Sequence, residues 1–139
     1  MTRAHGKLFG LEIPFLELLG ARLEEWEKGR AVVALDLRRE LENSWRFAHG
    51  GVVMTLLDVA LAGAALSPEG ERGGLVTVQL TVSFLRSAAG TLRAEGRLVR
   101  GGRSLAFCEG EVRDATGEIV AKAMASYRVK RRADAESAE

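Results

Sequence analysis

Residues that bind metals or form covalent cross-links are scarce in this chain. Its 139 residues include one cysteine, Cys108, and two histidines, His5 and His49. A single cysteine excludes an intrachain disulfide, and the three residues do not form a cluster at metal-ligand spacing. We therefore predict that the chain holds no metal.

The chain also lacks an excess of charge and a long apolar segment. Lysine and arginine number 20 against 19 aspartates and glutamates, so the net charge gives no general reason to bind nucleic acid or a membrane surface. The opening MTRAHGKLFG has no apolar signal-peptide core, and the apolar run 50–66 is short for a membrane span and contains Asp58. We expect a cytoplasmic protein with neither a nucleic-acid nor a membrane partner.

Size and composition indicate one globular domain spanning 1–139. Hydrophobic residues make up 47% of the chain and charged residues 28%, which is typical of a soluble single-domain protein. We expect the folded core at about 10–130. The segment 131–139 has almost no apolar content, so we expect it to be a frayed tail.

The spacing of the apolar residues predicts one long helix and about six strands. Pro14 and Gly20 bound a short helix at 13–20, and Lys28-Gly29 can form a hairpin turn. Along 75–86 polar residues alternate with apolar ones, which places one face of a strand at Thr77, Gln79, Thr81 and Ser83 and the other at Val76, Val78, Leu80, Val82 and Phe84. The expected strands are 21–27, 30–37, 75–86, 91–100, 103–114 and 118–130, and the long helix is 50–66, after a loop at 38–48. An antiparallel sheet curled around the helix is the economical arrangement, which is an α+β fold.

One carboxylate interrupts the long apolar helix. The run from Gly50 reads GGVVMTLLDVALAGAAL, in which Thr55 and Asp58 carry the only polar side chains. Burying a lone carboxylate costs several kcal/mol unless it is paired, hydrogen-bonded or placed in a wet cleft. Two interpretations stay open at this point. Asp58 is either a core residue bonded to a backbone amide or an arginine, or a catalytic acid in a cleft.

The pattern N-x5-HGG-x6-D, formed by Asn43, His49-Gly50-Gly51 and Asp58, precedes the strand VTVQLTVSFLR and the segment GRLVRGGRSLAFCEGEVRDATGEIVAKAMASYRV. With these features the chain resembles the PaaI-like acyl-CoA thioesterases of the hotdog superfamily over about positions 10 to 130. The resemblance implies a hotdog fold, hydrolysis of an acyl-CoA thioester, and a homodimer formed edge to edge that assembles further into a tetramer. Coenzyme A is then part of the substrate, and no separate cofactor is expected.

The resemblance also assigns roles to individual residues. Asp58 corresponds to the catalytic carboxylate, and Gly50 to the residue whose N–H polarises the thioester carbonyl. Asn43 and His49 correspond to residues that shape the site, and Thr77 to a residue that helps orient the attacking water. Each has a simpler interpretation: a helix-entry turn for Gly50-Gly51, loop ordering for His49 and Asn43, and a strand position for Thr77.

The positions of Gly50 and Asp58 impose a geometric condition. Eight residues separate them on one helix, so at ~1.5 Å rise per residue they lie ~12 Å apart. A single carbonyl cannot contact both groups. If both act on one substrate, two chains must contribute to each site.

Contacts to coenzyme A are expected near the Gly-Arg-Ser step. The resemblance places Gly102, Arg103 and Ser104 beside the CoA chain, and Arg100 and Gly51 are further candidates for substrate binding. A cluster of cations at a cleft mouth suits an anionic nucleotide. Arg103 and Ser104 are the preferred contacts, and an ordinary solvated charge is the alternative interpretation for Arg100.

Several functional alternatives remain at the level of the sequence. Asp58 could activate a water as general base or attack the thioester directly. A non-catalytic acyl-CoA-sensing protein and a hydratase are the competing functions, and Asp58 argues against the first. Cys108 alternates with small residues and is interpreted as a buried small side chain rather than a nucleophile.

Overall fold

The computed structural model describes residues 7–66, 68 and 74–130. Its helices are α1 (Pro14–Leu19) and α2 (Gly50–Ala65), with a 3-10 turn at Arg39–Leu41. Its strands are β1 (Lys7–Leu8), β2 (Leu11–Glu12), β3 (Arg22–Glu27), β4 (Arg30–Asp36), β5 (Leu75–Phe84), β6 (Thr91–Gly101), β7 (Leu105–Arg113) and β8 (Ile119–Val129). The tail expected at 131–139 lies outside the described residues.

Six strands form one antiparallel sheet around the long helix. The order is β3-β4-β6-β7-β8-β5, and β6, β7 and β8 form the expected meander. Helix α2 packs mainly across β4, β6 and β7, and its side chains Leu56, Leu57 and Leu61 are fully buried against the sheet. The α+β arrangement predicted from the sequence is confirmed, and each predicted boundary agrees within about two residues.

Two glycines allow the helix to lie close to the sheet. Gly96 of β6 and Gly110 of β7 are directly opposite each other in the ladder. A Cβ at Gly96 would overlap the backbone carbonyl of Ala60 in α2, and one at Gly110 would overlap the carbonyl of Glu95 in β6 and come within 2.8 Å of Leu61 Cδ1 in α2. The absence of side chains at both positions therefore sets the depth of α2 in the sheet.

The sequence did not predict the short N-terminal hairpin formed by β1 and β2. Its turn residues, Phe9 and Gly10, both have positive φ, 58° and 73°. The Phe9 ring is buried and lies 5.1 Å from the Trp26 ring, edge to face. Packing of this ring holds a left-handed backbone that phenylalanine rarely adopts on its own.

Strict alternation along β5 was wrong. The ladder with β8 pairs Thr77 with Tyr127 but Gln79 with Ser126, so a β-bulge separates Thr77 from Gln79. Leu80 and Val82 pack against the core, and Thr77 bonds Asp58 of the helix. The extra residue moves Thr77 to the same face as Leu80 and Val82, although the alternating pattern had separated them.

Strand β5 is an unusual edge. It pairs with β8 on one side and with no strand of the described chain on the other. Val78 is 61% exposed and Phe84 53% exposed. The helix face beside this strand is also open, because Met54 is exposed and Asp58 half-buried.

As to membranes, none of the described helices has the length and apolarity to span one.

Candidate active site

Asp58 is held by two hydroxyl groups. Thr77 Oγ1 donates to Asp58 Oδ1 at 3.0 Å, and the Tyr127 hydroxyl lies 3.0 Å from the same oxygen. Within the described residues Asp58 has no salt bridge and its Oδ2 has no hydrogen-bonding partner. The carboxylate is therefore neither neutralised by an arginine nor fixed by a backbone amide, and one of its oxygens stays available.

A groove opens beside Asp58. It has a volume of about 320 Å³ and lies between α1, α2 and β5. Apart from Asp58 and Thr55 its walls are apolar, formed by Ile13, Phe15, Leu16, Met54, Val59 and Leu80. A carboxylate at the wall of an apolar groove is an arrangement in which an apolar ligand and a reactive oxygen can meet.

The N-terminus of α2 leaves one amide free. His49 Nδ1 accepts a hydrogen bond from the Gly51 N–H at 2.9 Å, and the His49 carbonyl accepts from Val52 at 2.9 Å and Val53 at 3.3 Å. In the described part of the chain the Gly50 N–H has no acceptor. This single unpaired amide, at the positive end of a 16-residue helix, is suited to a carbonyl oxygen that gains negative charge.

His49 itself acts as the N-cap of the helix. Because its Nδ1 accepts from Gly51, the proton of the neutral ring is on Nε2. This position agrees with the loop-ordering interpretation of His49. Gly51 is committed to the same cap, so its N–H is not available to a substrate in this arrangement.

Asn43 organises the loop that leads to the helix. Its Oδ1 accepts from the backbone amides of Trp45 at 2.9 Å and Phe47 at 3.1 Å, and its own N–H bonds the Phe47 carbonyl at 2.7 Å. These bonds enclose Arg46, which has a φ of 68°. Asn43 thus fixes the loop that delivers His49 and Gly50.

Gly50 and Asp58 lie in different depressions of the same chain. The one at Gly50 has a volume of about 360 Å³ and is lined by residues that include Asn43, Phe84 and Arg86. Asp58 is not among its lining residues, and Gly50 is not among those of the Asp58 groove. One described chain therefore presents two separate half-sites.

The expected CoA contacts lie at the β6–β7 hairpin, outside both half-sites. The Gly102 N–H bonds the Leu105 carbonyl at 2.7 Å, and the Ser104 carbonyl accepts from Val129 at 2.8 Å. Arg100 and Arg103 are exposed. Because Tyr127 pairs with both Thr77 and Ala106, this hairpin is at the Asp58 end of β5. The roles of these four residues stay predictions.

Tyr127 is the residue of this site that the sequence did not single out. It is fully buried, and its hydroxyl also lies 2.9 Å from the Asp58 carbonyl oxygen. Burial, together with the neighbouring Asp58, raises the pKa of Tyr127 far above its ordinary value, so the hydroxyl keeps its proton. No sequence spacing relates residues 69 positions apart, and only the packing of α2 against β8 brings Asp58 and Tyr127 together.

Cys108 and the ion-paired residues of the outer sheet face lie away from the two half-sites. Cys108 is buried as predicted, at 2% exposure. On the outer face of the sheet, depressions of about 340 and 400 Å³ are lined by ion-paired residues such as Arg97 and Glu111. Over the part of the chain that is described, no three His, Cys, Asp or Glu side chains are grouped to hold a metal.

Comparison with known proteins agrees with this fold. The sequence profile of the Thioesterase superfamily matches residues 46–121, which include α2, β5, β6 and β7. A six-stranded antiparallel sheet wrapped around one long helix is the hotdog fold. The chain belongs to the thioesterase superfamily, and the predicted hotdog fold and thioester hydrolase class are confirmed.

Individual relatives cover nearly all of the described chain. The medium/long-chain acyl-CoA thioesterase YigI of Salmonella typhimurium is 28% identical, over 89% of this chain and 90% of its own. The phenylacetic acid degradation protein PaaI of Thermus thermophilus, solved as a mutant, is 28% identical with a TM-score of 0.76. That match covers 85% of this chain and 100% of PaaI. Protein PA5202 of Pseudomonas aeruginosa is 29% identical with a TM-score of 0.79, over 84% and 93% of the two chains.

Proposed function

We propose that the protein hydrolyses acyl-CoA thioesters at sites shared between two subunits. Asp58 of one subunit supplies the base or nucleophile, and the Gly50 N–H of the other polarises the thioester carbonyl. The observation that carries the proposal is the pair of half-sites on α2. A carboxylate with one unpartnered oxygen and an amide with no acceptor, both judged within the described residues, lie on one helix ~12 Å apart.

The two edge strands of the sheet differ in charge, and only one of them is protected from pairing. Strand β3 carries Arg22, Glu24, Glu25 and Glu27, whereas the ten residues of β5 include no charge. Charged side chains protect an edge from pairing, and a long uncharged edge with exposed apolar residues invites it. We therefore expect a second copy of the chain to pair along β5.

The position of α2 beside β5 gives the register of this pairing. Asp58 bonds Thr77 near the start of β5, and a Cβ on Gly50 would lie 3.5 Å from the Phe84 ring at its end. Because the bulge adds one residue, Thr77 and Phe84 are six ladder positions apart along β8, from Tyr127 to Ala121, and their midpoint falls at Thr81. An antiparallel pairing with its two-fold axis there sets Thr77 of one subunit opposite Phe84 of the other. Asp58 of each subunit then approaches the partner's Gly50.

The chemistry follows from these two groups. Asp58 takes a proton from water, the oxygen attacks the thioester carbon, and the carbonyl oxygen gains negative charge at the Gly50 N–H. The C–S bond then breaks, and the thiolate leaves and takes up a proton to give free CoA and a carboxylic acid. In the second route the free oxygen of Asp58 attacks the carbonyl, CoA leaves, and water hydrolyses the resulting anhydride. Both routes require an unpartnered carboxylate oxygen.

The groove beside Asp58 is proposed to hold the acyl group. Its walls are apolar and include the aromatic ring of Phe15, so aliphatic medium-length chains and arylacetyl groups are both suitable occupants. YigI is named for medium and long acyl chains and PaaI for phenylacetic acid degradation. Arg103 and Ser104 are proposed to bind the CoA arm. A cytoplasmic dimer or tetramer is proposed as the working form.

The test is release of free thiol from a panel of aliphatic and aryl acyl-CoA thioesters. We expect turnover by the wild-type chain and a loss of at least about a thousandfold in kcat for Asp58→Asn, since general-base catalysis contributes on this scale. Asparagine keeps an oxygen that can accept from both hydroxyl groups, so folding is expected to be retained. Asp114→Asn is the control, because Asp114 accepts from Thr116 in the β7–β8 turn and asparagine can do the same.

Unchanged turnover in a folded Asp58→Asn variant contradicts the assignment of Asp58. Binding of CoA thioesters without release of thiol, across the whole panel, favours the sensing function instead. Equal losses in Asp58→Asn and Asp114→Asn contradict a specific role for the helix carboxylate.

A further inference from the structure

Two hydroxyl groups converge on one oxygen of Asp58, although one bond would anchor the side chain. Thr77 and Tyr127 are directly opposite each other on β5 and β8, and both reach Oδ1 at 3.0 Å. Oδ2 has no partner among the described residues. The arrangement distinguishes two oxygens that are chemically equivalent in a free carboxylate.

The geometry points to Tyr127 as a positioning residue that holds Asp58 Oδ1 and leaves Oδ2 as the reacting oxygen. This inference rests on the proposed role of Asp58. The tyrosine does not contact the substrate, since its side chain is fully buried beneath α2. It acts through Asp58 by fixing the plane of the carboxylate, so that Oδ2 is directed toward the water or the thioester carbon.

The donor is well suited to this task. A tyrosine hydroxyl has one proton, and its two neighbouring acceptors are the Asp58 carbonyl oxygen at 2.9 Å and Oδ1 at 3.0 Å. The carbonyl already belongs to the helix, and an ionised oxygen is the stronger acceptor. The pKa of Tyr127 is raised by burial first and by the Asp58 charge second, so proton transfer from Tyr127 to Asp58 is disfavoured and the hydroxyl stays a donor.

A purely structural role is the alternative. A buried tyrosine hydroxyl needs a hydrogen-bonding partner, and the Asp58 carbonyl alone could satisfy it. In that case Tyr127 would stabilise the contact between β8 and α2 without affecting the carboxylate. The two roles predict different results. If Tyr127 positions the carboxylate, removal of its hydroxyl lowers kcat only when Asp58 is present, whereas a purely structural role makes the effect independent of Asp58.

The experiment compares Tyr127→Phe with wild type, using the acyl-CoA that wild type turns over fastest. We expect kcat to fall roughly tenfold to a hundredfold, the effect of losing a hydrogen bond to a charged group. KM is expected to stay within about twofold because a buried side chain makes no uniform contribution to substrate binding. Thr77→Val should lower kcat in the same way, and Thr91→Val, on β6 with its hydroxyl bonded to Asp36 and not to Asp58, should not.

A double-mutant cycle separates positioning from folding. In the Asp58→Asn background Tyr127→Phe should cause no further loss of the residual rate, because the group it positions is gone. An equal loss in both backgrounds overturns the inference, as does a folded Tyr127→Phe variant with wild-type kcat. If Tyr127→Phe does not fold, the same cycle is run with Thr77→Val, which removes the other hydrogen bond to Oδ1. Failure of wild type to release any thiol refutes the proposed function, a result distinct from those above.

Discussion

The Gly50 amide can be removed with little change to the backbone. Gly50 is the first residue of α2, where proline is favoured because its missing N–H makes no helix bond. Proline also requires an extended residue before it, and His49 already has φ −61° and ψ 139°. Gly50→Pro therefore deletes the free amide. Gly50→Ala is the matched control, since its Cβ would lie 3.5 Å from the Phe84 ring, an ordinary contact distance.

The fall in kcat expected for Gly50→Pro is the effect of removing one hydrogen-bond donor to the oxyanion. Removing such a donor costs about a hundredfold to a thousandfold in kcat, and Gly50→Ala should remain within about threefold of wild type, since it keeps the N–H. The assay is thiol release at saturating acyl-CoA, with thermal unfolding measured on each variant. A folded Gly50→Pro variant whose kcat equals that of Gly50→Ala would refute the role of the amide.

Mixing of subunits tests whether each site needs two chains. A heterodimer of one Asp58→Asn subunit and one Gly50→Pro subunit has one site with both intact groups and one site with neither. Random co-assembly makes about half of the dimers heterodimers, so about a quarter of wild-type activity should return from two inactive parents. Co-expression of the two chains with different affinity tags provides the sample. No recovery in purified heterodimers would show that each site lies within one chain.

Two further predictions concern groups away from the site. Burial raises the pKa of the Cys108 thiol to about 12, so at about pH 8 a thiol reagent should not label it before the chain is unfolded, and rapid labelling of folded protein would contradict its burial. The bidentate bond from Arg97 holds the pKa of Glu111 below its ordinary value of 4.5. This interaction stabilises the fold above that ordinary pKa, and the stabilisation is lost as pH falls through the lower folded-state value. Glu111→Gln should lower the unfolding free energy by about 1–2 kcal/mol near pH ~7 and by less near pH ~3. Glu118→Gln, in an exposed pair, is the control and should have little effect. A loss of stability in Glu111→Gln that does not depend on pH would refute the linkage.

The sequence predicted the main elements because their signals are local. The long helix is apolar apart from Thr55 and Asp58 and begins with Gly50-Gly51 directly after His49, so its expected span of 50–66 differs by one residue from the observed 50–65. Lys28-Gly29 was expected to form a hairpin turn and separates β3 from β4 as predicted. The β1–β2 hairpin has no such signal. Its strands have two residues each, too few for periodicity, and its turn contains Phe9 where glycine or asparagine is usual.

The candidate site was predictable only in part, because some of its contacts are not local in the sequence. Asp58 is visible as a charge within an apolar helix, and Gly50 as a glycine at its start. Thr77 was assigned from resemblance, while the alternating pattern had placed it away from the core. Its contact with Asp58 depends on the bulge before Gln79. Tyr127 looks like one more aromatic residue of a strand, and its contact with the same oxygen depends on the packing of α2 against β8.

Pairing of two subunits would provide more than the missing half of each site. In a single chain the Asp58 groove and the Gly50 amide are open to water, which weakens any charge–dipole interaction through its high dielectric constant. A partner lying along β5 covers Val78, Phe84 and the open face of α2, including Met54, all of which are exposed in one chain. The same contact that joins Asp58 to the partner's Gly50 therefore removes water from between them. Because a preorganised amide stabilises an oxyanion more strongly in a dry site, assembly and catalytic power are expected to rise together along this edge.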